Sequence, residues 1–416
     1  MSAILNISNR RRWSIVGLLF TASMINYFDR ATLSMALPKI SDELHLNPLQ
    51  EGMVLSSFFW SYALMQIPVG WLSDRVNLRW LYAGAFALWS IAQGLTGLAD
   101  TLLILITFRI LLGIGESIYL PGGSKIVSLM FASKERGLPV GLFDFGTRTG
   151  LVLEGLVVPW SIVNYGWRRT FMVVGFSALL WLIPWLLLTP KRLMETPEMQ
   201  AERVPMPSMQ KALSLVTNKN LWGICIGFFC FDYYWYLLVT WLPSYLIKVR
   251  NMSMMTAGIY SALPFLVFGA SQPIGGWISD RLVQNGWDET LTRKTIVTIS
   301  FAMGLLLIPA SRVESPNTAL ALIMGSCLVG LGAGNLQVIL QSCAPPNEVG
   351  LWTGIENFIG NLAGIIAPLA TGYIIAVTGS YSSAFALAAI VLVSGLLAYW
   401  FIVGKLEPPA TLDNYQ

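Results

Sequence analysis

A charged pair interrupts the first hydrophobic segment of the chain. Residues 13–25 are almost wholly apolar, Asp29 and Arg30 follow shortly after, and the apolar pattern resumes at Leu33. An ionised side chain at bilayer depth costs about 2.5–3.5 kcal/mol or more. Because neighbours on a helix project about 100° apart, the two side chains need not pair with each other. The pair predicts a site that binds a charged solute or moves a proton; the alternative is an ion pair that only fixes helix packing.

The two side chains suit different tasks. The planar guanidinium of Arg30 matches the geometry of a carboxylate. The carboxyl group of Asp29 can carry a proton when it is removed from water. We therefore expect Arg30 to bind an anion and Asp29 to bind a proton.

A second charged pair lies in the predicted fourth hydrophobic segment. Arg109 and Glu116 are two helical turns apart, on one face of a helix. The run 121–123, Pro-Gly-Gly, follows and can loosen or bend this helix. The pair predicts a second functional site in the membrane; the alternative is a static salt bridge.

The predicted fifth segment carries an arginine at membrane depth. Asp144 and Arg148 are one turn apart and can pair, with Thr147 beside them. Arg148 either supplies a second cation for a dianionic substrate or is neutralised by Asp144. The sequence leaves both readings open.

The second half of the chain offers amides and hydroxyls rather than cations at membrane depth. Tyr236, Gln337 and Asn357 can hydrogen-bond hydroxyl or carboxylate oxygens. Glu356 adds one more carboxylate beside Asn357. For Tyr236 the alternative is an aromatic belt at the membrane interface.

The composition places the chain in a membrane. Hydrophobic residues make up 55% of its 416 residues and charged residues 12%, against about 25% in soluble proteins. About twelve segments approach or exceed the ~18 apolar residues that a membrane span needs. They lie near 13–37, 51–72, 80–99, 101–123, 136–163, 169–189, 221–247, 255–279, 294–311, 318–342, 349–376 and 381–403. Lys and Arg concentrate in alternate loops, which predicts that both termini are cytoplasmic.

Several function classes find no support in the sequence. The net charge of +4 comes largely from the loops, so we expect no nucleic-acid partner. The four cysteines lack metal-ligand spacing, and no Walker A motif or enzyme motif is present. We therefore expect no enzyme activity and no cofactor, with a proton as the coupling ion. The single histidine, His45, lies in a predicted outer loop, so proton coupling falls to the carboxylates Asp29 and Glu116.

A short loop element is repeated about half the chain later. The sequence GWLSDR at 70–75 recurs as GWISDR at 276–281. Glycines permit close helix approach, and aspartates can accept hydrogen bonds from the N-terminus of a facing helix. We expect a conformational latch rather than a plain charged turn. Its predicted residues are Gly70, Asp74, Arg75, Gly276, Asp280 and Arg281.

The repeat divides the chain into two halves. A polar, proline-containing stretch separates them and is typical of a linker. The predicted domains are an N-terminal six-helix bundle (1–189), a cytoplasmic linker (190–220) and a C-terminal six-helix bundle (221–416). Repeated halves of this kind are typical of secondary transporters, which bind their substrate near the midplane between the halves.

These motifs resemble those of a known family. Residues 70–79 and 276–281 resemble the signature loop of the major facilitator superfamily, with Asn77 where that family often has glycine. Residues 25–31 and 109–116 resemble the anion:cation symporters, which include bacterial sugar-acid transporters, sialin and vesicular glutamate transporters. The resemblance implies an all-α membrane protein of the major facilitator superfamily fold, with about twelve transmembrane helices in two pseudo-symmetric bundles.

The resemblance also implies roles for individual residues. In similar symporters the residue matching Arg30 contacts the substrate anion, and the one matching Asp29 is protonated. The residue matching Glu116 couples proton to substrate with Arg109 as its partner, whereas Arg148 departs from the family pattern. The predicted substrate-binding residues are Arg30, Tyr27, Thr147, Arg148, Tyr236, Gln337 and Asn357. The predicted proton-coupling residues are Asp29, Glu116 and Arg109.

Together these features predict a proton-coupled symporter that imports an organic anion by alternating access. A sugar acid (an aldonate, aldarate or hexuronate) is the first expectation for the substrate. An aromatic acid or a dicarboxylate is the alternative by the same mechanism. An efflux antiporter and a receptor that senses the anion without moving it are further alternatives. We expect a monomer in the cell inner membrane whose partners are the anion, the proton and lipid.

Overall fold

The computed structural model describes residues 7–131, 135, 137–193, 217–345 and 349–406. Within these ranges all regular secondary structure is helical. Most of the predicted linker at 190–220 lies outside the described residues.

Six helices occupy the first part of the described chain. They are α1 (Asn9–Leu44), α2 (Pro48–Ser73), α3 (Leu78–Thr96), α4 (Leu102–Met130), α5 (Gly137–Ala178) and α6 (Leu182–Leu188). α4 is interrupted between Glu116 and Tyr119. Pro121 has no N–H to donate to the carbonyl of Ser117, one turn earlier, which accounts for the interruption. The predicted loosening of this helix is therefore confirmed.

Six more helices follow in the second part. They are α7 (Lys219–Lys248), α8 (Met254–Gln284), α9 (Glu289–Arg312), α10 (Pro316–Cys343), α11 (Val349–Thr378) and α12 (Tyr381–Phe401). α10 contains a 3₁₀ segment at Cys327–Gly332.

Nine segments of the described residues are long and apolar enough to cross a membrane. One of them, Leu138–Leu188, has 51 residues and contains two predicted spans, which are divided at Gly166. Gly166 has φ 80°, a conformation that glycine adopts readily. α1 and α3, with 36 and 19 residues, match the remaining two predicted spans but carry more polar side chains. The protein is a multi-pass membrane protein.

The chain forms two compact units. The N-terminal unit comprises Met1–Pro205 with Val239–Ala262, and the C-terminal unit comprises Met206–Leu238 with Leu263–Gln416. The end of α7 and the start of α8 therefore pack with the N-terminal helices. The predicted domain boundaries, at 189 and 221, stay a prediction.

Two glycines hold α4 against its neighbours just before Glu116. A side chain at Gly113 would collide with the backbone carbonyl of Phe58 on α2. A side chain at Gly115 would lie 2.7 Å from Trp89 on α3. Contacts this close leave no room for a Cβ atom, so the backbone of α4 is fixed where it carries Glu116.

A second pair of glycines brings α5 to α1. A side chain at Gly146 would collide with the hydroxyl of Ser23, and one at Gly150 with the carbonyl of Met24. The backbones of the two helices therefore approach directly.

Asn77 has a structural role that explains its departure from the family pattern. Its side chain accepts a hydrogen bond from the N–H of Arg79 (3.1 Å) and so caps α3. Its amide also donates to the carbonyl of Lys191 (2.6 Å). The backbone of Asn77 has φ −66°, so glycine is not required there.

The repeated loop elements form ion pairs within their own units. Asp74 pairs with Lys125 of α4 at 2.9 Å, and Asp280 pairs with Arg293 of α9 at 3.1 Å. The latch function of this element stays a prediction.

The close helix approach predicted at Gly70 and Gly276 stays a prediction as part of the latch. In the conformation described, an added Cβ atom at either position would meet no described atom within 4 Å, although one added at Gly334 of α10 would lie 3.8 Å from the Cα atom of Gly276. A tighter contact of α8 falls one residue earlier, where Gly275 faces the backbone of Leu331. A shift of one residue turns a helix face by about 100°.

The two arginines of the repeated loop element, Arg75 and Arg281, each lie over a tryptophan ring four residues earlier in the chain. The guanidinium of Arg75 stacks on Trp71 at 4.3 Å, and that of Arg281 lies 5.8 Å from the ring of Trp277.

Candidate functional site

Arg30 of α1 and Glu116 of α4 form a buried ion pair between two helices. The Nε of Arg30 donates to Oε2 of Glu116 at 2.7 Å. Glu116 is completely buried and Arg30 is 8% exposed. The predicted partner of Glu116 was Arg109, which makes no ion pair within 4.0 Å in the described part of the chain. The structure therefore joins the two charged motifs through Arg30.

Three aromatic rings surround the guanidinium of Arg30. The Cζ atom of Arg30 lies 4.9 Å from the ring centre of Tyr27, 4.6 Å from Phe58 and 4.5 Å from Tyr62. These distances allow cation–π attraction, which is stronger away from water. The rings stabilise the cation without satisfying its hydrogen-bond donors, so the guanidinium still requires an anionic partner.

Two of these rings, those of Phe58 and Tyr62, were not predicted from the sequence. Phe58 and Tyr62 are one turn apart on α2, and their rings stack at 5.1 Å. Aromatic side chains at this spacing are common in membrane helices and usually only pack. The spacing of Phe58 and Tyr62 was the only sequence signal for them. That spacing does not distinguish rings that surround a cation from rings that only pack.

Asp29 does not pair with its neighbour Arg30. Asp29 is completely buried, and neither of its carboxylate oxygens has a hydrogen-bond partner in the described part of the chain. The side chain of Gln93 donates to the backbone carbonyl of Asp29 at 3.2 Å. The structure thus excludes the mutual ion pair that was the alternative for Asp29 and Arg30.

Arg109 lies among the other charges. It is 2% exposed and interacts electrostatically with Asp29, Glu116 and Arg30. The ring of Phe58 lies 5.4 Å from its guanidinium carbon. We call Asp29, Arg30, Arg109 and Glu116 the buried charge cluster. It contains two cations and two carboxylates, of which only Arg30 and Glu116 are in direct contact.

The predicted residues of α5 lie near the cluster. The phenol of Tyr27 is within electrostatic reach of both Arg30 and Arg148. Thr147 is 1% exposed, and its hydroxyl donates to the carbonyl of Asp144 at 2.7 Å. Tyr27 therefore links the surroundings of Arg30 with those of Arg148. The pairing of Arg148 with Asp144 stays a prediction.

The predicted residues of the C-terminal unit make hydrogen bonds of their own. The amide of Gln337 donates to Oε2 of Glu356 at 3.0 Å, and the hydroxyl of Tyr236 donates to Asn361 at 3.3 Å. The amide of Asn357 donates to the carbonyl of Thr353 at 3.0 Å. The structure thus pairs Gln337 with Glu356, and it connects Tyr236 to Asn361 on α11.

No group of three or more His, Cys, Asp or Glu side chains with metal-binding geometry occurs in the ranges that the structure describes. The four cysteines are buried and unbridged.

Membrane-length helices and a buried charge cluster in the N-terminal unit are features expected of an integral membrane transport protein. Residues 19–344 match the family model described as Major Facilitator Superfamily, and the chain belongs to this family. It is therefore a transporter rather than an enzyme, and the predicted superfamily and all-α membrane fold are confirmed.

Individual proteins resemble the chain over nearly its whole length. It is 31% identical over 412 residues to the uncharacterized transporter YybO of Bacillus subtilis strain 168, covering 95% of each chain. It is 30% identical over 422 residues to GudP of the same organism, named as a probable galactarate/D-glucarate transporter, covering 95% of this chain and 92% of GudP.

A solved structure shows the same fold. A bacterial homologue of the human lysosomal transporter Spinster, crystallised in an inward-facing, unoccupied conformation, superposes with a TM-score of 0.81. The two chains are 18% identical, and the match covers 95% of this chain and 98% of the other. At this identity the likeness bears on the fold alone.

Proposed function

We propose that the protein is a proton-coupled symporter that imports a sugar acid by alternating access. The buried ion pair between Arg30 and Glu116 is the observation that carries this proposal. The resemblance to a relative named for galactarate and D-glucarate supports sugar acids as the substrate class.

The ion pair couples substrate binding to protonation. Neutralising one partner of a buried ion pair leaves the other charge uncompensated, at a cost of about 3–5 kcal/mol. A proton on Glu116 therefore removes one negative charge from beside Arg30 and favours the binding of another anion there. A substrate carboxylate supplies it, and the planar guanidinium can bind it through two parallel hydrogen bonds. In this mechanism the proton on Glu116 and the substrate carboxylate together decide which anion the guanidinium of Arg30 binds.

Asp29 provides a second proton site in this mechanism. Its carboxyl group is buried and its oxygens have no hydrogen-bond partner within 3.5 Å among the described residues, so the nearby Arg109 is the main group that favours its ionised form. Arg109 interacts with both carboxylates of the cluster and compensates whichever one is ionised. In this mechanism Arg109 is a positioning residue that does not touch the substrate.

The second cation near the site favours a dianionic sugar acid. Arg30 binds one carboxylate, and Arg148 attracts the carboxylate at the other end of the molecule. Tyr27 and Thr147 offer hydroxyl groups to the sugar. Tyr236, Gln337 and Asn357 remain our proposed substrate contacts from the C-terminal unit. A monocarboxylate of the same length would use only one of the two cations.

We further propose that the protein is a monomer in the cell inner membrane with both termini in the cytoplasm. The bacterial origin of its relatives supports this membrane. The concentration of Lys and Arg in alternate loops supports this orientation.

Reconstitution into liposomes tests the proposal. Labelled galactarate should accumulate when the outside is made more acidic than the lumen, and accumulation should stop when the gradient is collapsed. Glu116→Gln and Asp29→Asn should each abolish gradient-driven accumulation. Glu289→Gln, at a half-exposed glutamate of α9, is the matched control. Galactarate uptake that is indifferent to the gradient would contradict proton coupling.

A panel of competitors defines the substrate class in the same liposomes. D-Glucarate should compete most strongly, and D-galactonate, with one carboxylate, more weakly. Stronger competition by an aromatic acid would contradict the sugar-acid proposal while leaving proton coupling intact.

A further inference from the structure

The C-terminal unit contains a buried carboxyl group that the proposed mechanism does not use. Glu356 lies on α11 and is completely buried. Its Oε2 atom accepts a hydrogen bond from the amide of Gln337 on α10 at 3.0 Å. Its Oε1 atom has no hydrogen-bond partner among the described residues. One neutral amide is thus the only hydrogen-bond partner of this carboxyl group among the described residues.

The neighbours of Glu356 on other helices are neutral or acidic. Cys225 and Asp232 on α7 and Tyr399 on α12 lie within electrostatic reach of it. A Cβ atom added at Gly360, one turn along α11, would lie 2.5 Å from a carboxylate oxygen of Asp232, so the second acid is close.

Little positive charge lies on the helices around Glu356. α10, α11 and α12 contain no Lys or Arg in their sequences, and α7 carries only Lys219 and Lys248, its first and last residues. Glu356 makes no ion pair within 4.0 Å in the described part of the chain. This is the opposite of Glu116, which has Arg30 in contact and Arg109 nearby.

An ionised carboxylate is poorly accommodated in such a place. Burial removes its hydration, one amide compensates only part of that loss, and a nearby second acid repels the charge. A protonated carboxyl group fits better because it is neutral and its hydroxyl becomes a donor. The hydroxyl of Tyr399, also buried and without a hydrogen-bond partner among the described residues, adds a further polar group to this pocket.

We propose that Glu356 is a further proton-binding group of this transporter, located in the C-terminal unit. It takes up a proton in the conformation described here and releases it when a conformational change admits water to the pocket. Its part in transport rests on the proposed function. A dianion imported against an inside-negative potential needs one proton for each of its charges merely to be neutral, and Glu356 carries one beyond those on Asp29 and Glu116.

Infrared difference spectroscopy of the purified protein tests proton binding without any substrate. Protonated carboxyl groups have a C=O stretch that is separate from the carboxylate bands. We expect wild type to show such a band, responsive to pH, that is missing in Glu356→Gln and retained in Glu289→Gln. A Glu356→Gln spectrum identical to that of wild type would overturn the proposal, as would a Glu356 band that never changes with pH. Loss of the band on adding sodium chloride, but not choline chloride, would also overturn it, in favour of a cation site.

A second variant keeps the test decisive if Glu356→Gln fails to fold. Gln337→Leu removes the only hydrogen-bond donor to Glu356 among the described residues. Because a C=O group that loses a hydrogen bond stretches at higher frequency, the Glu356 band should shift upward in this variant. An unshifted band would mean that the band belongs to another residue, which overturns the assignment.

A separate measurement tests the role of Glu356 in transport. In liposomes, the pH gradient that balances a fixed substrate gradient gives the number of protons moved with each anion. We expect Glu356→Gln to move one proton fewer than wild type, and an unchanged number would overturn the role in coupling. If galactarate uptake is independent of pH in wild type, the proposed function fails, whereas the infrared result still decides whether Glu356 binds a proton.

Discussion

At the scale of single residues, Arg30 is the group that proton and substrate share in the proposed mechanism. It is held by three rings and by one carboxylate that can be neutralised. The rings favour a cation at this position whatever the state of Glu116. The anion beside Arg30 can therefore be exchanged without moving the arginine.

Arg30→Lys should weaken the binding of galactarate about tenfold or more. Lysine keeps the positive charge but loses the planar fork and the flat surface that stacks on the rings. The dissociation constant can be measured by calorimetry in detergent, or from the stabilisation that the ligand gives in a thermal melt. Arg312→Lys, at an exposed arginine at the end of α9, should bind like wild type. Equal affinity of Arg30→Lys and wild type would contradict the role of Arg30.

The sequence predicted the members of the charge cluster but not their pairing. All four charged residues stand out because ionised side chains are rare at membrane depth. The contact between Arg30 and Glu116 depends on how α1 packs against α4. The two residues are 86 positions apart in the sequence. No local spacing encodes such a contact. Phe58 and Tyr62 escaped notice because an aromatic residue in a membrane helix is unremarkable until a cation is found beside it.

At the scale of helices, glycines set where α4 carries its charges. The contact of Gly113 with α2 fixes the backbone between Arg109 and Glu116.

Gly113→Ala should lower the melting temperature by several degrees. The added methyl group has no space against the carbonyl of Phe58, and overpacking of this kind costs about 1–3 kcal/mol. Gly70→Ala is the matched control, because its methyl group would meet open space. Alanine there should be neutral or stabilise α2 by up to about 1 kcal/mol. Equal melting temperatures of the two variants would contradict the packing described for α4.

Beyond the membrane-spanning part of α1, Glu43 ties three segments together. It accepts hydrogen bonds from the indole of Trp167 at 2.6 Å and from Arg168 at 3.0 Å. Arg168 also pairs with Asp100 at 3.0 Å. The hydrogen bond from Trp167, and then the interaction with Arg168, lower the pKa of Glu43 from its ordinary value.

This lowered pKa makes a prediction about acid stability. The stabilising effect of Glu43 is complete above the unfolded pKa of about 4.3 and is lost as the pH falls through the folded pKa. Glu43→Gln should therefore melt at a lower temperature than wild type at neutral pH. The difference should shrink as the solution is acidified below that unfolded pKa. A difference that stays constant or widens on acidification would contradict this interpretation.

The spans were predictable because hydrophobic length alone marks them, whereas their ends were not. The first span was predicted at 13–37, but α1 runs from Asn9 to Leu44 because a helix continues beyond the bilayer. The break predicted between 163 and 169 falls at Gly166, where the positive φ needs a glycine. A tight contact of α8 falls at Gly275, one residue before the glycine of the repeated motif, because a motif does not fix the rotation of a helix.

At the scale of the whole molecule, the two units hold their buried carboxyl groups differently. The N-terminal unit places Asp29 and Glu116 among arginines, so these carboxyl groups can be ionised or neutral. The C-terminal unit places Glu356 with a single amide and no cation in contact among the described residues. We infer a division of labour in which the N-terminal unit binds the carboxylates of the anion together with protons, whereas the C-terminal unit offers neutral substrate contacts and binds a further proton at Glu356.

The central claim is that Glu116 and the substrate carboxylate compete for Arg30. The most direct test measures the dissociation constant of galactarate from mildly acidic to alkaline pH in wild type and in Glu116→Gln. We predict that wild type binds more weakly as the pH rises, because ionised Glu116 then occupies Arg30. Glu116→Gln should bind as tightly as acidified wild type, with a much flatter pH dependence. A folded Glu116→Gln protein that keeps the wild-type pH dependence, or that no longer binds galactarate, would contradict the claim.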